Sequence, residues 1–248
     1  MTGVVLITGS GRGIGAATAI LAAQRGYAVC VNYLKNEDRA AQVVSDIREA
    51  GGNAIMVQAD TANETEVAQL FKQVDEELGP ITALVNNAGI TGKAGRLDTF
   101  DADTMRRVLE VNVVGTLLCS QEAVRRMSTK NGGKGGVIVN VSSLAAQLGG
   151  ANQWIPYAAA KGAINSITAG LAKEVAAEGI RVNGIAPGLI QTELHAEAGV
   201  GDRLQKVLPQ VPMGRIGTVE ECAEAILWLM SGEAAYMIGS TLTLSGGR

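Results

Sequence analysis

The sequence is poor in the side chains that hold transition metals and disulfides. It has one histidine, His195, and three cysteines, Cys30, Cys119 and Cys222, set far apart. Zinc and related ions are held by clustered histidine nitrogens and cysteine sulfurs, so no metal site is expected. An odd number of dispersed cysteines, each in an apolar or helical pattern, gives no disulfide framework, and the three read as reduced packing residues. A surplus of positive charge is also lacking: 21 Lys and Arg stand against 24 Asp and Glu, a net charge of −3 at pH 7. Without a broad cationic field, nucleic acid and anionic membrane surfaces are not expected partners. No apolar run approaches the roughly 18 residues that span a bilayer. The first residues, Met1-Thr2-Gly3 and a short apolar run ending at Thr8, lack the pattern of a secretory signal, so the expected location is cytoplasmic. There is no internal repeat. One low-complexity patch, Asn131 to Gly136, reads as a mobile surface turn and not as an anion site, because no helix start follows it.

What is present is a pattern of alternating elements. Hydrophobic residues make up 47% and charged residues 18% of 248, a mixture that supports a large core and independent folding. Short β-rich apolar runs predict strands at roughly 4–8, 28–33, 54–58, 81–85, 137–142, 180–185 and 240–244. Between them, helical spacing appears near 14–25, 37–50, 63–78, 102–128, 156–177 and 218–231, and Gly26, Gly51 and Gly79 sit where helices end. This order predicts an α/β three-layer fold around a seven-stranded parallel sheet, doubly wound, in a single domain over 1–248. From about 189 to 217 both signals fade while Pro209, Pro212 and several glycines appear, so a substrate lid is expected there.

The first strand runs into Gly9-Ser10-Gly11-Arg12-Gly13-Ile14-Gly15 and then a helix. Glycines permit positive φ and close backbone approach, and the N–H groups and positive dipole end of the following helix attract a pyrophosphate. That placement makes the turn a dinucleotide site of Rossmann type rather than a simple connection. NAD-specific sites put an acidic residue at the end of the second strand to hold the ribose 2′-hydroxyl. Here the chain has Asn32-Tyr33-Leu34-Lys35, leaving room for a 2′-phosphate beside Asn32 and the guanidinium of Arg12. NADP(H) is therefore the expected cofactor, and NAD(H) stays open beside it; the competing reading has Arg12 and Lys35 simply facing water.

Tyr157 and Lys161 are four residues apart, so a helix through them carries both on one face. A free tyrosine ionises near pH 10 and needs a nearby cation to do so near neutrality; Lys161 supplies one. Alone, the pair is equally compatible with a tyrosine covering a helix surface beside a solvated lysine. The preceding strand, however, ends in Asn140-Val141-Ser142-Ser143 and an earlier one in Asn86-Asn87-Ala88-Gly89. Both belong at the carboxyl edge where parallel sheets place their sites.

With these motifs in order, the sequence resembles the short-chain dehydrogenase/reductase family over essentially its whole length. The family's Thr-Gly-x-x-x-Gly-x-Gly appears as Thr8 to Gly15, its Asn-Asn-Ala-Gly as Asn86 to Gly89, and its Tyr-x-x-x-Lys as Tyr157 to Lys161. Asn112 falls on its catalytic asparagine, Ser143 on its serine, and Pro187-Gly188 on the loop beside the nicotinamide. The resemblance implies a hydride transfer in which Ser143 hydrogen-bonds the substrate oxygen and Tyr157 exchanges the proton. Lys161 would lower the tyrosine pKa and hold the nicotinamide ribose, and Asn112 would order a relay water. Negative charge developing on the substrate oxygen needs such fixed donors. Ser142 competes with Ser143 for the serine role, and Asn112 taken alone is equally a helix amide. The same resemblance implies that Asp60 and Thr61 lie near adenine, Asn87, Ala88 and Gly89 near its ribose, and Ile190 and Thr192 near the carboxamide; Asp60 is otherwise a cap of the following turn.

Substrate choice is left to the variable lid. The expected partner is a small carbonyl or alcohol, with a sugar, polyol or similar alcohol ranked first because the Asn32-Tyr33 ending is shared with glucose dehydrogenase-like members and because Gln191, Glu193, His195 and Glu197 offer hydroxyl partners. A 3-oxoacyl-carrier-protein reductase is the alternative, favoured by Arg125 and Arg126 and weakened by Gly92-Lys93 and Glu178. A catalytically inactive dinucleotide sensor or scaffold is the reading from another class, opposed by the four filled catalytic positions. The tail Gly239 to Gly247 resembles the family's last strand, through which many members assemble, so a homotetramer is expected.

Overall fold

A computed structural model describes residues 3–192 and 203–248. Alternation along the first strand fixes the layering. In β1 (Val4–Ile7) all four residues are buried, with Val5 and Ile7 in one core and Val4 and Leu6 in the other. A strand buried on both faces reads as a continuous apolar run, and that is how β1 reads.

The described elements then run β1, α1 (Gly13–Gln24), β2 (Ala28–Tyr33), α2 (Glu37–Glu49), β3 (Ala54–Gln58), α3 (Glu64–Glu77) and β4 (Ile81–Asn86). Next come α4 (Ala102–Leu109), α5 (Gly115–Met127), β5 (Gly136–Val141), α6 (Ala145–Leu148), α7 (Ile155–Val175) and β6 (Ile180–Pro187). Two helices, α8 (Arg203–Val207) and α9 (Val219–Met230), precede β7 (Thr241–Leu244). The sheet order is β3-β2-β1-β4-β5-β6-β7 and every pairing is parallel. This is the doubly wound Rossmann-type sheet that the strand pattern predicts. Leu6 stands opposite Cys30 on one side and Leu84 on the other, so the order reverses between β1 and β4, where such sheets open a crevice at their carboxyl ends.

Residues of α1, α2 and α9 cover one face, where Val31, Val85 and Val139 meet Ala19, Val44 and Ile226. Residues of α3, α5 and α7 cover the other, around the fully buried Phe71 and Met127. Gly26, Gly51 and Gly79 have φ of 87°, 82° and 93° and close α1, α2 and α3 as the sequence indicates. The glycine-rich patch is a hydrogen-bonded turn: the Gly133 and Gly135 N–H groups donate to Ser128 O and Met127 O at 2.9 and 2.8 Å.

One expected element is corrected. The span 102–128 is not one helix. It breaks at Glu110–Val114 into a π-helical turn between α4 and α5, an arrangement that helical periodicity does not reveal and that concentrates at functional positions. Asn112 sits in this turn, and its Nδ2 donates to Val108 O and to Ile90 O, both at 2.8 Å. The first bond ties the turn to the end of α4, and the second ties it to the loop after β4.

Within the expected lid, the described parts form a small core of Leu189, Val207 and Val211 with Leu204 and Ile216. Its base is pinned by Gln191 N to Gly217 O and Gly217 N to Leu189 O, each at 3.0 Å.

Candidate active site

The carboxyl ends of β1, β2, β4 and β5 open into a cleft of about 1040 Å³, at the upper end of ligand pockets and large enough for a dinucleotide with a small second molecule. Its floor is the glycine turn. Gly9 and Gly13 are left-handed, with φ of 61° and 57°. A Cβ on Gly15 would stand 2.5 Å from Asn87 Nδ2, whereas one on Gly11 would meet Ala40 N of α2 at 3.5 Å. The turn is staked from several sides. Gly9 N donates to Asn32 Oδ1 at 3.1 Å, Ser10 Oγ to Ile7 O at 2.7 Å, and Asn87 Nδ2 to Thr8 O and Gly9 O at 2.9 and 3.0 Å. The first turn of α1 carries neither a side-chain cap nor an acidic residue, so its N–H groups suit an anion.

At the end of β2 the geometry refines one expectation. Asn32 is buried, and its Nδ2 donates to Val57 O and Ala59 O at 3.3 and 3.1 Å. Its amide is thus committed to bracing the turn. Tyr33, Lys35 and Arg12 line the groove, and so does Arg39, which sequence reasoning missed because it reads as an ordinary exposed residue of α2. Asp60 also lines the groove. It accepts from Ala62 N at 3.0 Å and pairs with Arg107 Nη2 at 2.6 Å, so the turn-capping and cleft-lining readings both apply. Arg107, a second missed residue, gives no sequence signal because α4 reads as a solvated amphipathic helix. Thr61, Ala88, Pro187, Gly188, Ile190 and Thr192 line the same cleft. Glu193, His195 and Glu197 lie outside the described residues.

Helix α7 begins with Ile155 and Pro156, where a proline costs no hydrogen bond. It carries Tyr157 and Lys161 into the cleft one turn apart. Lys161 is 4% exposed, and its Nζ donates to Val141 O at 2.7 Å and lies 5.6 Å from the centre of the Tyr157 ring. Burial pushes its ammonium down to about 8. The two serines separate cleanly. Ser142 is buried and gives its hydroxyl to Lys161 O at 3.0 Å, whereas Ser143 accepts from Ala145 N at 3.1 Å and lines the cleft with its O–H uncommitted to any described residue. Asn112 Oδ1 is buried with no hydrogen-bond partner, and a Cβ on Gly89 would come within 2.5 Å of it. Such an orphaned acceptor marks a place for an ordered water.

Beyond Tyr157 the cleft is walled by Leu148, Gln153 and Trp154. They are presented by a turn in which Gly149, Gly150 and Asn152 are all left-handed. Among the described residues no cluster of His, Cys, Asp or Glu would hold a metal, and no helix is long and apolar enough to cross a membrane.

Comparison with known proteins agrees with this geometry. Residues 9–248 match the family model described as enoyl-(acyl carrier protein) reductase. The chain is 49% identical over 245 residues to the uncharacterized oxidoreductase YgfF of Escherichia coli, covering 99% of both proteins. It is 39% identical to the cis-4-hydroxycyclohexanecarboxylate dehydrogenase of Sinomonas cyclohexanicum, over 98% of this chain and 95% of that protein. Among solved structures, a short chain dehydrogenase from Burkholderia cenocepacia in complex with NADP superposes with a TM-score of 0.92 at 33% identity, over 100% and 98% of the two chains.

The contact at Gly89 gives a test. Gly89→Ala drives a methyl group onto Asn112, which two hydrogen bonds hold in place, and overpacking of this kind costs about 1–3 kcal/mol. Urea denaturation should register that loss; an unchanged midpoint would mean that the π-turn does not hold Asn112 against the loop.

Proposed function

The chain belongs to the short-chain dehydrogenase/reductase family, whose members are oxidoreductases acting on CH–OH groups, and we propose that within it this protein uses NADP(H), with NAD(H) as a second cofactor, to interconvert a small carbonyl compound and its alcohol. The observation that carries this reading is the buried Lys161 ammonium one helix turn from Tyr157, in the cleft that starts at the glycine turn.

The residues present fit a dinucleotide. Gly9, Ser10, Gly11, Arg12, Gly13, Ile14 and Gly15 would hold its pyrophosphate, since Gly9 and Gly13 take the left-handed conformations of the turn and the first turn of α1 has no side-chain cap or acidic residue. Asn32 acts indirectly by bracing that turn, while Arg12, with Tyr33 and Lys35 beside it, meets the 2′-phosphate. Glu37 and Asp38 follow in sequence but are not among the residues lining the cleft, although the charge of Glu37 reaches the Tyr33 phenol. Asp60 and Thr61 flank the adenine. Asn87, Ala88 and Gly89 flank its ribose, and Pro187, Gly188, Ile190 and Thr192 flank the nicotinamide. When bound, the cofactor supplies or takes up the hydride.

The chain's own groups manage the proton. The Ser143 hydroxyl donates to the substrate oxygen as negative charge builds there. Tyr157 then gives its phenolic proton to that oxygen, or takes it in the oxidative direction. Lys161 holds a positive charge beside the phenol and stabilises its ionised form. Its contact with Val141 O uses one of three N–H donors, which leaves donors for the ribose. Asn112 Oδ1 orders the water that returns a proton to the site.

The apolar walls favour a compact substrate with little polar surface, and the relative named for a hydroxycyclohexanecarboxylate supports a small cyclic alcohol. A sugar or polyol remains the companion reading; it relies on Gln191, Glu193, His195 and Glu197. The acyl-carrier alternative has the support of a relative named 3-oxoacyl-(acyl-carrier-protein) reductase, 38% identical over 98% of this chain, while Arg125 and Arg126 are paired with Glu122 and Asp75. Exposed apolar side chains that include Leu109, Val114 and Leu117 around α4 and α5, and Trp228, Tyr236 and Ile238 from α9 onward, support self-association as a homotetramer. Buried free thiols at Cys30, Cys119 and Cys222 accord with a cytoplasmic protein.

NADPH consumption across a panel of small ketones and aldehydes tests the enzyme against the inert sensor, which would show none. Tyr157→Phe should keep NADPH binding and lose about 100-fold or more in kcat; undiminished turnover removes the phenol from the mechanism. Arg12→Ala should weaken NADPH more than NADH, and equal losses in fluorescence titrations would show that the guanidinium does not read the 2′-phosphate.

A further inference from the structure

Arg248, a charged residue that the reaction does not use, lines the same cleft as Ser143, Trp154, Tyr157, Gly188 and Ile190, and the local structure explains how the side chain gets there. Strand β7 pairs with β6 from Gly184–Thr241 to Pro187–Leu244, so the chain leaves the sheet at the edge that carries the site. Gly188 N donates to Leu244 O at 2.8 Å, and a Cβ on Gly188 would lie 2.8 Å from Ser245 Cα. The next two residues, Gly246 and Gly247, are both left-handed, with φ of 64° and 93°, a sequence of conformations open to glycine alone without strain. Met213 N donates to Gly246 O at 3.0 Å, and a Cβ on Gly246 would meet Val211 Cγ1 at 2.8 Å. The double glycine thus seats the tail against residues 211–213 and returns Arg248 to the cleft.

The guanidinium arrives mostly uncommitted. Its Nη2 donates to the neutral Gln210 Oε1 at 3.2 Å, and no carboxylate among the described residues pairs with it. Five N–H donors in a planar fork leave one edge available, and that edge matches a carboxylate two-on-two. Among the described residues lining the cleft, Asp60 has the single acidic side chain, and it is paired with Arg107 beside β3. Among the described residues, no acidic side chain lines the cleft with Leu148, Trp154 and Ile190 other than Asp60.

We propose that Arg248 binds a carboxylate carried by the substrate, remote from its reacting carbon, so that the substrate is a small hydroxy or oxo carboxylic acid with an apolar body. This rests on the oxidoreductase reading and names the substrate class of the same site. Leu148 and Trp154 take the apolar body, Ser143 and Tyr157 the reacting oxygen, and Arg248 fixes which end enters first. Gln210 is a positioning residue that holds the fork.

A matched pair of ketones tests this: 4-oxocyclohexanecarboxylate and its primary amide, which differ in charge and little in shape. The wild type should use the acid with a kcat/KM about 10- to 100-fold above the amide, the range expected of hydrogen bonds to a charged group. Arg248→Ala should bring that ratio close to one, and Arg248→Lys should restore part of it. Equal use of both ketones by the wild type, or an undiminished ratio in Arg248→Ala, overturns the proposal. Calorimetric titration of NADP-loaded protein with cyclohexanecarboxylate reads the same contact without turnover. Binding by the wild type that Arg248→Ala abolishes upholds it, and equal binding by the two, or no binding by the wild type, refutes it. Failure to consume NADPH with any carbonyl strikes at the oxidoreductase reading, whereas these charge comparisons strike at Arg248 alone.

Discussion

A lysine ammonium sealed inside the protein is the constraint on which the site depends. Lys161 Nζ has one protein hydrogen bond, 2.7 Å long, to the carbonyl of Val141 at the end of β5. That bond ties helix α7 to the sheet edge and fixes Tyr157 one turn earlier. The arrangement is costly. Depression of the ammonium from 10.5 to about 8 corresponds to roughly 3 kcal/mol at ~1.4 kcal/mol per pH unit. Because the folded value lies below the unfolded one, this destabilisation is fully present below about pH 8 and is relieved as pH rises toward 10.5. Elsewhere the cores on both sheet faces must offset it, and a charge held in this way is the signature of a functional group and not of a packing one.

The same sheet edge supports the rest. Asn87 links the loop after β4 to the glycine turn after β1 through Thr8 O and Gly9 O. Gly89, two residues on, leaves space for Asn112 Oδ1 and sits near Lys161 Nζ. The π-turn holds Asn112 against the carbonyl of Ile90. The glycine-turn groove and the groups proposed to move the proton are therefore braced by hydrogen bonds along the carboxyl ends of β1, β4 and β5, where strand order reverses and the cleft opens.

Much of this was legible in the sequence, for definite physical reasons. Apolar runs doubly buried in a parallel sheet show as continuous stretches such as Val4–Ile7, and helix ends show as Gly26, Gly51 and Gly79. The i,i+4 spacing of Tyr157 and Lys161 places them on one face, and the glycine turn announces its groove. The break at Glu110–Val114 was not legible, because a π-turn keeps an amphipathic pattern and needs no glycine or proline. The division of labour between Ser142 and Ser143 follows from which hydroxyl faces Lys161 O, a tertiary fact. Asn32 lines the groove and also braces it, since its amide donates to Val57 O in the adjacent strand and to Ala59 O just beyond it. Arg39, Arg107 and Arg248 reach the cleft through the way their segments pack, which composition and periodicity do not encode.

The central claim is that Lys161 is buried as a cation whose proton is loosely held beside Tyr157. Carbon-13 NMR of the lysine ε-carbons, with the Lys161 signal assigned by its loss in Lys161→Met, measures this directly across a pH series. The account predicts a titration midpoint near 8 in the cofactor-free protein. A midpoint near 10.5, the value of a solvated lysine, would contradict it.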